Sequence, residues 1–171
     1  MRATIAWVAL LGAAMSSVAG AQEHRAKQDA EVQAAALLEI IKADLGHHPA
    51  GPVRTLCVGP EAMPSSHDTV APGDLSLVRS QLARETGLTV SRPDACVNQP
   101  APAFGTLIVD RAHGAPALLV GVVAPRAIAP DTMEVLVSSR AGGRWGRGER
   151  CTVAKRGVHW AVAQCLLTWR S

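Results

Sequence analysis

The sequence predicts an α+β fold: two N-terminal helices packed on a curved, mainly antiparallel sheet that ends in a C-terminal meander. Three observations predict it. Between Gln22 and Gly46, the residues Ala34, Leu37, Leu38, Ile41 and Leu45 recur at three- and four-residue spacing, the apolar stripe of an amphipathic helix. A second helical pattern follows Asp74, with Leu75, Val78 and Leu82 turned inward. From Met133 to Ser171 the chain reads as three antiparallel strands separated by a Gly/Arg turn and a Lys/Arg/Gly turn.

The N-terminus predicts export. Met1-Arg2 is a positive start, Ala3 to Met15 is apolar and uncharged, and Ala19-Gly20-Ala21 is a small-residue cleavage pattern. Cleavage is expected after Ala21. The apolar run falls short of the ~20 residues that an uncleaved anchor needs. Gln22 to Ser171 then forms a single domain of ordinary size, with no other apolar run long enough to span a bilayer. The short leader, the Ala/Gly/Arg-rich composition and the scarcity of Lys suggest a bacterial protein that is periplasmic or secreted. Without Arg2 the net charge of +3 falls by one, so the chain is neither a strong polyanion binder nor an acidic shield. One Phe and no Tyr leave few platforms for stacking bases or sugars, so there is no strong nucleic-acid signal.

The first helix is expected to stop at Gly46, with Pro49 soon after, and its first residues, Gln22 to Gln28, to fray. Val53 to Gly59 is a short strand, and Pro60 to Gly73 a polar loop. Asp74 can cap the second helix by accepting from its first-turn amides, and Gly87 ends it. Leu88 to Ser91 is a second short strand, parallel to the first through a strand–helix–strand crossover. Asp94 to Ala103, with two prolines, reads as a loop. Gly105 to Arg111 and Ala115 to Ala124 are strands around a turn at Ala112-His113-Gly114. The run from Ala117 to Val123 is apolar on both faces, which suits a central strand. Pro125 to Pro130 is a loop before the final strands.

Cys57, Cys96, Cys151 and Cys165 all follow the leader, and an even number in an exported chain suggests two disulfides. Three connectivities are possible; Cys57–Cys96 with Cys151–Cys165 is preferred. The second pair raises a register problem. A turn at Arg156-Gly157 or Lys155-Arg156-Gly157 leaves Cys165 three or four positions from the residue facing Cys151. That is over ~10 Å at ~3.4 Å per residue, against a Cα limit of about 7 Å. The bridge therefore requires a bulge, a bend or a different pairing.

The most unusual local feature is basic. Arg140, Arg144, Arg147, Arg150, Lys155 and Arg156 fall within one hairpin region whose only acid is Glu149. Such a cluster can draw phosphates of an anionic envelope component, or a protein partner; ordinary charged hairpins that keep sheet edges from pairing have the same composition. His47-His48 and His67-Asp68 are possible metal ligands, but the spaced Cys/His sets of zinc sites are absent, and no metal or cofactor is expected. His159 shares a strand face with Ala161 and Ala163 and reads as a partly buried core histidine; His113 falls in a turn. Asp110, Asp131 and Glu134 could supply paired acids, with nothing to select among them. No nucleophile elbow, Ser-x-x-Lys, Cys-x-x-Cys or phosphate loop is present, so no catalytic residue is assigned. Trp160 and Trp169 read as sheet-face anchors. The expected function is a non-enzymatic binding or envelope-associated module; the rival is an unfamiliar envelope hydrolase with a pocket in the sheet.

Gly157-Val158-His159-Trp160-Ala161-Val162, followed by Trp169-Arg170-Ser171, resembles the Gly-x-x-Trp-x-Val…Trp-x-Ser ending of small secreted bacterial proteins of uncharacterised type. The order of helix, Val/Leu-rich strand, Asp-x-x-Leu helix and terminal sheet is similar as well. The same hairpin occurs in cone-shaped sheets of the nuclear-transport-factor-2-like or cystatin-like kind, from whose order the early strand–helix–strand unit departs. The resemblance implies a hairpin and brings no functional residue with it.

Overall fold

The computed structural model describes residues 6–61 and 72–171, with side chains from residue 20 onward. His67 and Asp68 lie outside the described residues. The fold is α+β: the described residues form two α-helices and a nine-stranded, mostly antiparallel mixed sheet.

Helix α1 spans Ala6–Asp44 and so begins ahead of the predicted start at Gln22. Gln22 to Lys27 are helical with exposed side chains. Burial begins at Ala30 and takes in Val32, Ala34, Ala36, Leu37, Ile40 and Ile41. The buried face is therefore wider than the predicted stripe, because α1 packs on both the sheet and α2 (Ser76–Thr86). Leu37, Ile40 and Ile41 are fully buried, each stabilising the fold by about 1.5–3 kcal/mol. Gln33 enters the same interface and donates to the Val123 carbonyl at 3.0 Å, so its amide is not left unpaired. No described helix is long and apolar enough to cross a membrane.

Strands β1 (Thr55–Pro60) and β2 (Thr89–Ser91) are parallel, joined through α2 as expected. Asp74 accepts from the Ser76 amide at 2.9 Å and from its hydroxyl at 2.7 Å. The helix thus starts two residues beyond Asp74, and the carboxylate still satisfies a first-turn donor. Gly87 closes α2 in the left-handed region, φ 68°, and its N–H donates to the Ala83 carbonyl.

Two segments expected as loops are strands. After a 3₁₀ turn at Pro93–Ala95, β3 (Cys96–Ala101) pairs along its whole length with β4 (Gly105–Asp110). Pro100 fits because β3 lies at the sheet edge, where its missing N–H is no loss. Strand β6 (Arg126–Ala129) folds back on β7 (Thr132–Gly142) through Pro130-Asp131, with Asp131 at φ 53°. Proline pre-sets the first central position of such a turn, and Asp tolerates the left-handed second.

Strand β5 (Ala117–Val122) is central, as its apolar pattern requires: parallel to β1 on one edge and antiparallel to β7 on the other. The sheet forks on that second edge. The β3–β4 hairpin joins at the start of β5 through Val109 and Pro116, and β7 takes the remainder. Beyond β7 lie β8 (Trp145–Arg156) and β9 (His159–Arg170). Leu56, Val58, Leu118, Val120, Val135, Val137 and Val153 face the helices and share one core with them.

Both preferred disulfides are present. Cys57–Cys96 ties β1 to the head of β3, and Cys151–Cys165 lies between directly paired residues of β8 and β9, with 4.1 Å between Cα atoms. The register problem is solved in two steps. The turn is Gly157-Val158, with Gly157 at φ 65°, which moves the residue facing Cys151 two positions toward Cys165. A one-residue bulge at Ala163 supplies the third.

Candidate functional site

The six basic residues of the hairpin region do not form one patch. Side chains alternate along a strand, so Arg147 and Glu149 point to the helix side while Arg140 and Arg150 point to the other. Arg140 lies over the Trp169 ring, 5.5 Å from its centroid, and 3.5 Å from Glu61. Arg150 is 3.9 Å from Glu134, which also holds Arg126 at 2.8 Å. Lys155 is 4.0 Å from Asp131. Arg156 is exposed at the end of β8, and Arg144 occupies the β7–β8 turn.

On the helix side, alternation brings Arg147 beneath the last turn of α1. Its guanidinium lies 3.3 Å from Asp44 and 3.4 Å from Glu149, and donates to the Ile40 carbonyl at 3.2 Å. The Ser139 hydroxyl donates to the other oxygen of Asp44. A cation at a helix C-terminus is favoured by the unpaired carbonyls there. Asp44, Arg147 and Glu149 form a compensated group that clamps α1 to the sheet.

Beside this clamp opens a cleft of about 380 Å³ between the end of α1 and the β7–β8 turn. Leu118 and Ala141 form its apolar floor, and Trp145 stands at its rim, half exposed. Arg144, Arg147 and Arg170 line it, with Asp44 the one acidic side chain and Ser171 beside them. Among the described residues neither Arg144 nor Arg170 lies within ion-pair distance of a carboxylate. His48 also lines the cleft and is only 7% exposed. Its Nδ1 accepts from the Ala50 amide at 3.1 Å, so the proton of the neutral ring sits on Nε2. That Nε2 is fully buried and meets no acceptor at full hydrogen-bond geometry, although the carbonyls of Ile108 and Ala117 lie close enough to act on the ring. Burial lowers the pKa of His48, outweighing the carbonyls of Ile108 and Ala117 that favour the charged ring.

A larger opening of about 490 Å³ runs along the exposed start of α1 beside the tip of the β8–β9 hairpin. Its charges are mixed, Glu23 and Glu31 against Lys27 and Lys155, and it holds none of the buried unsatisfied groups. A third recess, about 180 Å³, lies on the far face of the sheet. There the Glu61 side chain covers Gly121, accepts from Ser138 and approaches Arg140.

His47 and His48 do not act together: His47 is exposed, with Nδ1 2.7 Å from the Ala43 carbonyl. His159 is exposed and not a core histidine, because β9 is an edge strand and His159 sits at its first position. His113 pairs with Asp110 at 3.0 Å, and this contact with the Ala112 amide and the Thr55 hydroxyl holds the Asp110 carboxyl below its usual range. Asp131 is exposed and Glu134 is committed to arginines, so Asp110, Asp131 and Glu134 are not gathered as a pair. Trp160 packs against the core. Among the described residues, Glu149, Cys151 and Cys165 come together at metal-ligand distances, but both sulfurs are in the disulfide and neither is a thiolate.

Sequence reasoning missed Asp44, Ser139, Trp145, Glu61 and Arg170. Asp44 and Arg147 meet only because α1 ends over β8, and no local spacing reports that. Compared with known proteins, the chain matches no family model, no curated protein and no solved structure.

Proposed function

We propose that the protein is an exported, disulfide-stabilised binding module of the bacterial envelope or exterior, released by cleavage after Ala21, whose binding site is the cleft at the end of α1. Two disulfides suit an oxidising compartment. The observation that carries the site is a pair of arginines, Arg144 and Arg170, that line an open cleft with no carboxylate side chain at ion-pair distance among the described residues. The volume falls within the range of small-molecule sites. The Arg-rich hairpin contributes Arg144 and Arg147 to this site, while Arg140, Arg150 and Lys155 serve the sheet through their acidic partners.

A catalytic reading has less support. The Ser139 hydroxyl donates directly to Asp44, and His47 and His48 make their hydrogen bonds to backbone groups instead of to that serine. The test has two parts. Intact mass after expression with an export system should show the chain starting at Gln22 with both disulfides closed. Ligand-observed NMR with a mixed fragment set should show binders that are lost in Ala43→Trp, which fills the cleft from an exposed helix position. Binders indifferent to Ala43→Trp would remove the cleft from this account.

A further inference from the structure

The chemistry of the cleft's ligand can be read from its walls, given the binding site proposed above. Arg147 and Arg170 are directly paired across β8 and β9. Like charges at such positions repel. Arg147 is compensated by Asp44 and Glu149, but Arg170 is not, and Arg144 at the rim is not. Two cations without counter-charge therefore border one cleft. Such cations call for an acceptor of negative charge. Leu118, Ala141 and the Trp145 ring supply the apolar part of the lining, beside Asp44, His47 and the serines Ser139 and Ser171.

We infer that the cleft binds a small organic oxyanion, with a carboxylate or phosphate head held by Arg144 and Arg170 and an apolar body against Leu118, Ala141 and Trp145. An anionic head group beside unpaired arginines offsets the repulsion between Arg147 and Arg170. The apolar body removes the Trp145 face and the floor from water. Cations and neutral molecules of the same shape gain only the second effect.

The test uses the disulfide-closed protein and five probes, benzoate, phenyl phosphate, inorganic phosphate, benzylamine and benzyl alcohol, titrated by calorimetry with Trp fluorescence in parallel. Benzoate or phenyl phosphate should bind, whichever head is preferred identifying the source, and at least tenfold more tightly than benzylamine, benzyl alcohol or inorganic phosphate. Arg170→Gln and Arg144→Gln, both at exposed positions, should each weaken that binding about tenfold or more. Arg111→Gln, an exposed arginine outside the cleft, should leave it unchanged and so rule out a general charge effect. Benzylamine or benzyl alcohol binding as tightly, and lost in Ala43→Trp, overturns the oxyanion inference while the binding module stands. Inorganic phosphate binding as tightly as the organic anions overturns the apolar body. No binding by any probe or by any fragment overturns both readings.

Discussion

Arg147 and Arg170 stand opposite each other on one face of the sheet, and Asp44 at the end of α1 is what makes the pair tolerable. The Arg147 and Asp44 side chains are about a fifth exposed, so water screens them only in part. Replacing Asp44 with Asn would leave the Ser139 hydroxyl an acceptor but remove the charge nearest Arg147. We expect Asp44→Asn to destabilise the fold by about 1–3 kcal/mol, read from urea unfolding. Adding Arg170→Gln should recover part of that loss by removing the repulsion. Equal stability of wild type and Asp44→Asn would show that the clamp does not hold α1.

The two disulfides should differ in worth. Cys57–Cys96 closes a separation of 39 residues and Cys151–Cys165 one of 14. Loop-closure entropy puts their contributions at about 4 and about 3 kcal/mol. Cys57 and Cys151 are both fully buried, so Cys→Ala double substitutions compare like with like. The Cys57/Cys96 pair should lower the unfolding midpoint more, and the reverse order would mean that native packing, not chain entropy, decides.

Much of this fold could be read from the sequence because local pattern and tertiary role agree. Val78 and Leu82 are buried where period 3.6 puts them, and the two-faced apolar run of β5 is central because it is covered on one side by helices and bordered by β1 and β7. What was not legible depends on pairing at a distance. Strand β3 has no periodicity, and its only instruction to be a strand is the edge offered by β4. The Ala163 bulge carries no residue signature, yet without it and the shifted turn Cys165 would not face Cys151. The site suffered most. Arg147 was visible as one of six basic residues, but its inward direction, and the outward direction of Arg140 and Arg150, follow from register alone. Asp44 read as an ordinary residue near the end of a helix.

Trp169 sits where the far face of β8 lacks side chains. A Cβ at Gly148 would overlap the indole, and Gly146 lies against its other edge. Arg140 then covers the exposed side of the ring. Gly148→Ala should force the ring off the sheet, costing about 1–3 kcal/mol from overpacking, and loosen the Arg140 contact. The measurement is thermal unfolding together with Trp emission, which should shift to the red as the indole meets water. Gly157→Ala provides the contrast: it has open space at its Cβ but φ 65°, so it should destabilise by about 1 kcal/mol with no change in emission.

The burial of His48 makes stability depend on pH in a definite direction. Its pKa in the fold lies below the usual 6.5, because desolvation disfavours the charged ring. In the unfolded chain the ring takes its proton near 6.5. Between the folded and unfolded values the unfolded state binds more protons, so stability rises with pH there. The stabilisation from keeping this ring neutral is complete above about 6.5 and is lost as pH falls toward the folded value. Urea midpoints should therefore drop between pH 7.5 and pH 5.5. His48→Gln should flatten that drop, since Gln neither titrates nor carries the burial penalty of an imidazolium, and the exposed His47 changed to Gln should not. A slope unchanged by His48→Gln would place the titrating group elsewhere and show that the ring takes up its proton over the same pH range folded and unfolded.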